Sequence, residues 1–191
     1  DSTKENPFDQ PEIKEVMDLC LSCKACKSEC PTNVDITKLK AEFLQHYYDA
    51  QGVPFRSWLI ANFTKSQQLG ILVPPLYNAL VKNKFIGSFI KKVIGFAVDR
   101  TLPTVSNISL RRWHQKRVSK NQSLKSDKKV YLFCDEFTNY NDVEIGKKGI
   151  LLLEALGYEV NIPKHGESGR TYLSKGLVRK AQKIIIKNIE H

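Results

Sequence analysis

Residues 20–31 read Cys20-Leu-Ser-Cys23-Lys-Ala-Cys26-Lys-Ser-Glu-Cys30-Pro31, which places four of the chain's five cysteines within eleven positions. The spacing, C-x2-C-x2-C-x3-C-P, is that of an iron–sulfur ligand run. Three thiolates at two-residue intervals on one tight loop can grip three corners of a cubane. Backbone N–H groups of such a loop point at the sulfides and offset their negative charge. The proline ends the loop and sends the fourth thiolate elsewhere; in two-cluster proteins that fourth Cys serves the other cluster.

Other cysteine chemistries fit less well. A four-cysteine zinc site uses two C-x2-C pairs set apart by a longer stretch. Disulfides are disfavoured by the short loops and by the lack of a secretion signal. A thioredoxin-like C-x-x-C sits at a strand-to-helix turn, whereas here both flanks read as helix. A c-type haem site needs a His after the second Cys, and none is present.

The flanks place the run between two helices. Pro11 to Leu19 has apolar residues at 13, 16 and 17 and is entered by a proline. Asp35 is a candidate cap for a helix running to about Ala50 and ended by Gly52. Ile36, Leu39, Phe43, Leu44 and Tyr47 would form its inward face. Helices on both sides of the run predict a helical ferredoxin rather than a β-rich one.

The chain has 191 residues, room for one full domain and part of another. With 41% hydrophobic and 26% charged residues, disordered and collagen-like readings are excluded. The net charge is +10, and residues 61–128 carry the excess, with 13 basic against 2 acidic side chains. A local excess favours one docking face. No signal peptide is visible, and no apolar run is long enough to span a membrane; Lys91 and Lys92 interrupt the nearest approach, Phe85 to Val98. The only Met is internal, at 17, which suggests a processed or excised piece of a longer protein.

Residues 55–118 read as a basic helical segment broken at Gly70, Pro74 and Pro75. Its tail, Leu110 to Lys120, holds Trp113 and His114 among basic residues. The stretch is open to three readings: a solvated face with aromatic anchors, a dock for an electron-transfer partner, or a membrane-surface contact. No nucleic-acid signature is present, and no nucleic-acid partner is expected. Residues 119–129 form a polar linker.

From 130 to 191 the pattern is strand, helix, strand, helix. Lys129 to Cys134 and Tyr158 to Ile162 are the strands. Asp142 to Leu156 is a helix with Ile145, Leu152, Leu153 and Leu156 as apolar residues, and Thr171 to Ile189 is the last helix. This predicts a parallel βαβα unit. Two strands make a small sheet, so the unit reads as truncated. Cys134 ends the first strand, where it is either a core residue or a ligand-facing group. His165, Glu167 and Arg170 follow the second strand and form either a polar turn or a site for an anion or a partner. The expected class is therefore α+β, a mainly helical ferredoxin-like part (residues 1–54), the basic segment, and a partial α/β unit.

The stretch Asn6 to Tyr48, with its Cys20–Pro31 run, resembles the iron–sulfur portion of large bacterial FAD-linked oxidoreductases, the group of D-lactate dehydrogenase, glycolate oxidase and D-2-hydroxyglutarate dehydrogenase. From Val130 onward the layout (VYLFCDEFTNYND, LGYEV, ESGRTYLSKG) is similar to their heterodisulfide-reductase-type Cys-Cys-Gly domain. The resemblance implies that Cys20, Cys23 and Cys26 bind one [4Fe-4S] cluster, completed by a second Cys run upstream, and that Cys30 serves another. A fragment without that second run would lack its usual fourth ligands. FAD would lie in an upstream flavin domain of the parent, and this chain has no Gly-rich dinucleotide fingerprint of its own. Glu167-Ser168-Gly169 stands where the family has Cys-Cys-Gly, leaving Cys134 alone from that site.

The implied role is electron transfer from flavin to a quinone or protein acceptor, in a parent that oxidises a 2-hydroxy acid, with the fragment itself non-catalytic. The implied location is cytoplasmic, with peripheral contact at the inner membrane as an open alternative. Rival readings are a stand-alone helical ferredoxin subunit of a heterodisulfide-reductase-like or glycerol-3-phosphate dehydrogenase complex, and a zinc-stabilised module.

Overall fold

The computed structural model describes residues 6–190. In order they form α1 (Pro11–Asp18), α2 (Ala25–Glu29), α3 (Ile36–Gln51), α4 (Phe55–Ala61), α5 (Phe63–Gly70), α6 (Pro74–Lys82), α7 (Lys84–Ile94), α8 (Leu110–Ser119), β1 (Lys129–Tyr131), α9 (Glu136–Tyr140), α10 (Val143–Ala155), β2 (Glu159–Asn161), α11 (Arg170–Ser174) and α12 (Val178–Ile189). The class is mainly helical α+β, with a two-stranded parallel sheet in the register Lys129↔Glu159, Val130↔Val160, Tyr131↔Asn161.

Contacts gather the chain into two compact units. One takes residues 6–63 together with Ser168–Ile186, and the other takes Thr64–Glu167 with 187–190. The blocks 1–54, 55–118 and 130–191 follow composition along the chain; the units follow packing, which returns α11 and most of α12 to the N-terminal helices.

The first unit is built on α3. Asp35 caps it as expected, its carboxylate accepting from the N–H groups of Thr37 and Lys38, and Gly52 ends it with a positive φ of 78°. Phe43, Leu44 and Tyr48 make its buried face, joined by Ala61, Tyr172, Leu177 and Ala181. Tyr48 takes the place expected of Leu39, which is half exposed. The last helix is not continuous as expected but breaks at Gly176, where φ is +71°. A Cβ there would stand 2.3 Å from Leu44 Cβ, so the break lets the backbone lie directly on α3. The Thr171 hydroxyl donates to the Ala61 carbonyl at 3.0 Å and the Tyr172 hydroxyl to Asn62 Oδ1 at 3.1 Å, which fixes α11 against α4.

The second unit has its own core of Leu110, Cys134, Val143, Ile150 and Val160. Here α10 does not bury its full set of apolar residues. Ile145 and Leu152 are 69% and 62% exposed, while Val143, Gly146 and Ile150 are buried. The cause is close approach. Leu110 of α8 fills the space over Gly146, where a Cβ would meet Leu110 Cδ2 at 2.3 Å. The glycine face docks and the leucines turn outward. The first strand is shorter than expected, ending at Tyr131, and α9 follows it unpredicted, capped by the Asp135 carboxylate.

Candidate metal centre

The cysteine run begins one residue after Leu19, the C-cap of α1, and ends at Cys30, the C-cap of α2. Ser22 and Lys24 adopt left-handed φ values of 57° and 64°, and Asn33, just beyond Pro31, has 57°. Three of the four non-glycine residues with positive φ among the described residues thus lie in or beside the run. Each such residue costs roughly 1–2 kcal/mol. Strain concentrated in this way accompanies function. The left-handed Lys24 enters the short α2, which carries Cys26. Sequence reading treats the run as loop throughout, because a five-residue helix with no capping side chain leaves no periodic signal.

All five thiols are free; Cys23 is exposed, and Cys20, Cys26 and Cys30 are half-buried. Cys30 Sγ lies 3.1 Å from the Thr32 hydroxyl. That hydroxyl, then the backbone N–H groups of Val34, Thr32 and Asn33, hold the Cys30 thiol below its ordinary pKa. A sulfur ringed by donors is prepared to be a thiolate, the form that binds metal. Behind the run, Lys40 of α3 donates its Nζ to the Cys20 carbonyl at 2.6 Å and ties the backbone of the run's first cysteine to the helix.

Among the described residues, no three Cys, His, Asp or Glu side chains converge as a single-ion site requires. A cubane binds each thiolate to a different iron, so its donors stand further apart than those of one ion. The donor set, four free thiols at cubane spacing on a loop with left-handed residues, fits an iron–sulfur cluster.

Between β1 and α9 the chemistry is different. Cys134 is 3% exposed, and burial is the main cause raising its thiol to about 11. Its Sγ lies 3.6 Å from Asn139 Oδ1. His165 Nε2 accepts from the Cys134 N–H at 3.0 Å and meets Arg111 Nη2 at 2.6 Å; its ring stacks on Phe133 at 3.9 Å. Its Nδ1 is 2.6 Å from the Gly166 carbonyl, which assigns the proton to Nδ1. Burial lowers the His165 pKa, so the ring is a neutral brace for the strand end. Glu167 has a buried Oε2 without a hydrogen-bond partner, and Arg170 starts α11 with its N–H on Ser168 Oγ at 3.2 Å. His165 is therefore engaged with Arg111 and the β1 end.

Arg111, Lys40 and Thr32 are the site residues that sequence reading passes over. For Lys40 a signal exists: it sits three and four positions before Phe43 and Leu44, a charge inside an apolar stripe. For Arg111 none does, since it meets His165 across 54 positions. His114 is a core residue, its Nε2 at 3.0 Å from the Val160 carbonyl. Of the basic α8 side chains, Arg117 is turned onto Glu154 by two bonds at 3.1 and 2.8 Å.

No family model matches the chain, and no solved structure does. The curated proteins it resembles are dehydrogenases. It is 29% identical over 181 residues to D-2-hydroxyglutarate dehydrogenase of Escherichia coli K12, covering 90% of this chain and 18% of that protein. The Pseudomonas putida KT2440 protein of the same name is 25% identical over 184 residues, covering 93% and 18%. One of the subunits of anaerobic glycerol-3-phosphate dehydrogenase from E. coli K12 is 25% identical over 144 residues, covering 75% of this chain and 36% of that relative. The chain thus spans under a fifth of the length of the D-2-hydroxyglutarate dehydrogenases it matches. D-2-hydroxyglutarate dehydrogenase is one of the group that the stretch 6–48 resembles, and the glycerol-3-phosphate dehydrogenase subunit is of the kind named as the rival reading. No helix among the described residues is long and apolar enough to cross a membrane.

Proposed function

We propose that this chain is the electron-transfer segment of a larger FAD-linked oxidoreductase that acts on a 2-hydroxy acid. The observation that carries the reading is the run of four free thiols at 20, 23, 26 and 30 on a loop with left-handed residues, with Cys30 ringed by donors. When bound, a [4Fe-4S] cluster accepts and releases one electron at a time. Cys20, Cys23 and Cys26 hold three irons of one cluster. Cys30, set off by Pro31 and stabilised as thiolate by Thr32, serves a second. The remaining ligands come from another cysteine run of the same protein. Loop N–H groups and Lys24 and Lys27 offset the negative charge. The flavin domain, outside this chain, takes the hydride equivalent, and the basic segment 61–128 docks the acceptor. Cys134, His165 and Arg111 keep the α/β unit in shape.

The test is iron and acid-labile sulfide analysis of the full natural polypeptide purified without oxygen. The reading expects both in stoichiometric amount, with visible thiolate-to-iron absorbance. A colourless protein with one zinc per chain would replace it with a zinc-stabilised module. A second reading, an iron–sulfur subunit that receives electrons from a separate flavoprotein, is favoured by the match to the glycerol-3-phosphate dehydrogenase relative. Flavin on the same polypeptide supports the first reading; its absence, with iron present, supports the second.

A further inference from the structure

We propose that Lys40 and Lys175 form a cationic floor beneath the cysteine run that counterbalances an anionic cluster and raises its reduction potential. The inference rests on the iron–sulfur reading above and deepens it.

Lys40 is 8% exposed, and the Cys20 carbonyl that its ammonium meets is neutral. An ammonium has three donors and is costly to bury without a countercharge. Lys175 stands in the break between α11 and α12, immediately before Gly176. The contact of Gly176 with Leu44 sets this turn on α3, one helical turn from Lys40 on the same face. The bonds of Thr171 and Tyr172 to Ala61 and Asn62 hold the same turn near α4, which carries Arg56.

The electrostatics agree with this placement. Burial, then the positive fields of Lys40 and Arg56, push the Lys175 pKa below that of an ordinary lysine; Asp18 opposes them. Asp18 is already engaged by Lys14 at 2.6 Å. Among the described residues no carboxylate lies within ion-pair distance of Lys40 or Lys175. Gathering cations in a partly buried place is unfavourable by itself. It becomes favourable when an anion sits above them, and the group directly above is the first ligand of the run. A thiolate-ligated cluster is anionic and gains one more negative charge on reduction, so fixed cations stabilise its reduced form. Lys24 and Lys27 are exposed on the loop itself, where water screens them; Lys40 and Lys175 act from the drier side.

The experiment is an EPR-monitored redox titration of the full natural polypeptide, unmodified and as Lys175→Met, Lys175→Arg and Lys27→Met, with iron and sulfide measured on each. Lys175→Met is expected to keep its cluster and to lower the midpoint potential by the equivalent of a tenfold change in redox equilibrium, about 59 mV for one electron. Lys175→Arg is expected to restore most of the shift, and Lys27→Met to move it far less. Loss of the cluster in Lys175→Met but not in Lys175→Arg would support the same need for charge. An unchanged potential in Lys175→Met, equal cluster loss in both Lys175 variants, or an equal shift in Lys27→Met would overturn the proposal. An unmodified protein that binds no iron would fail earlier and overturn the iron–sulfur reading itself.

Discussion

Two cysteine environments in this chain stand in contrast. In the run, Cys30 is half-buried with the Thr32 hydroxyl and backbone N–H groups around its sulfur, and left-handed residues stand beside the cysteines. Between β1 and α9, Cys134 is enclosed by the core of the second unit, and burial drives its thiol to about 11. One environment lowers the cost of a thiolate and the other raises it, although both place a cysteine between two secondary-structure elements. Position in the fold therefore does not identify a ligand; the hydrogen-bond donors around the sulfur do.

The contrast breaks or holds first on iron. Cys26→Ser in the full natural polypeptide is expected to remove most of the iron of one cluster, and Cys134→Ala to leave the iron content unchanged. Metal analysis of the two variants decides it. Equal losses would mean that Cys134 has a ligand's role, which its buried, neutral thiol argues against.

The next effect is on stability. Gly176 lies at φ +71° with Leu44 Cβ 2.3 Å from where its own Cβ would be. Gly176→Ala combines the left-handed penalty with overpacking, roughly 2–4 kcal/mol together. Gly157, also at positive φ (+88°), has nothing within 4 Å, so its alanine variant carries the backbone penalty alone, roughly 1–2 kcal/mol. Urea unfolding of the two variants should rank them in that order. An equal midpoint shift would show that the Leu44 contact relaxes freely.

These glycines also mark where the sequence could be read and where it could not. The Asp35 cap and the Gly52 stop are local signals, and each is where it was expected. The two parallel strands and the long helix α10 between them are legible for the same reason, whereas the short α9 is not. The buried face of α10 is not, because Gly146 lets Leu110 approach more closely than the outward leucines would allow. The break at Gly176 is a single residue in an otherwise periodic stretch, and only contact with α3 gives it meaning. The return of Ser168–Ile186 to the N-terminal helices, like the meeting of Arg111 with His165, depends on chain distances that no local pattern encodes.

Thiol reactivity sharpens the contrast further. In reduced, iron-free protein at pH 8, Cys134 with a pKa of about 11 is ionised in only about one molecule in a thousand. Cys30, held below the ordinary value of 9.0, presents far more thiolate at the same pH. Iodoacetamide labelling followed by peptide mass analysis should modify Cys30 well before Cys134. Raising the pH toward 11 should narrow the gap, since the Cys134 population then approaches half ionised. Labelling at equal rates at pH 8 would remove the distinction between the two environments.

The smallest expected effect is a pH dependence confined to the second unit. His114 and His165 both have pKa values pushed below 6.5, in each case chiefly by burial. The unfolded chain then binds more protons than the folded one once the pH drops below about 6.5, so stability rises with pH through that window and falls as the solution is acidified. For His114 the neutral ring donates its Nε2–H to the Val160 carbonyl on β2, and burial disfavours a proton added to the ring. His114→Gln keeps a donor for that carbonyl but cannot titrate. Its unfolding midpoint should therefore change less between about pH 7 and pH 5.5 than that of the unmodified protein. The difference is expected to be modest, because His165 continues to contribute. If the variant kept the full acid sensitivity, the burial of His114 would not be its source, and the titrating group would have to be sought elsewhere, His165 first.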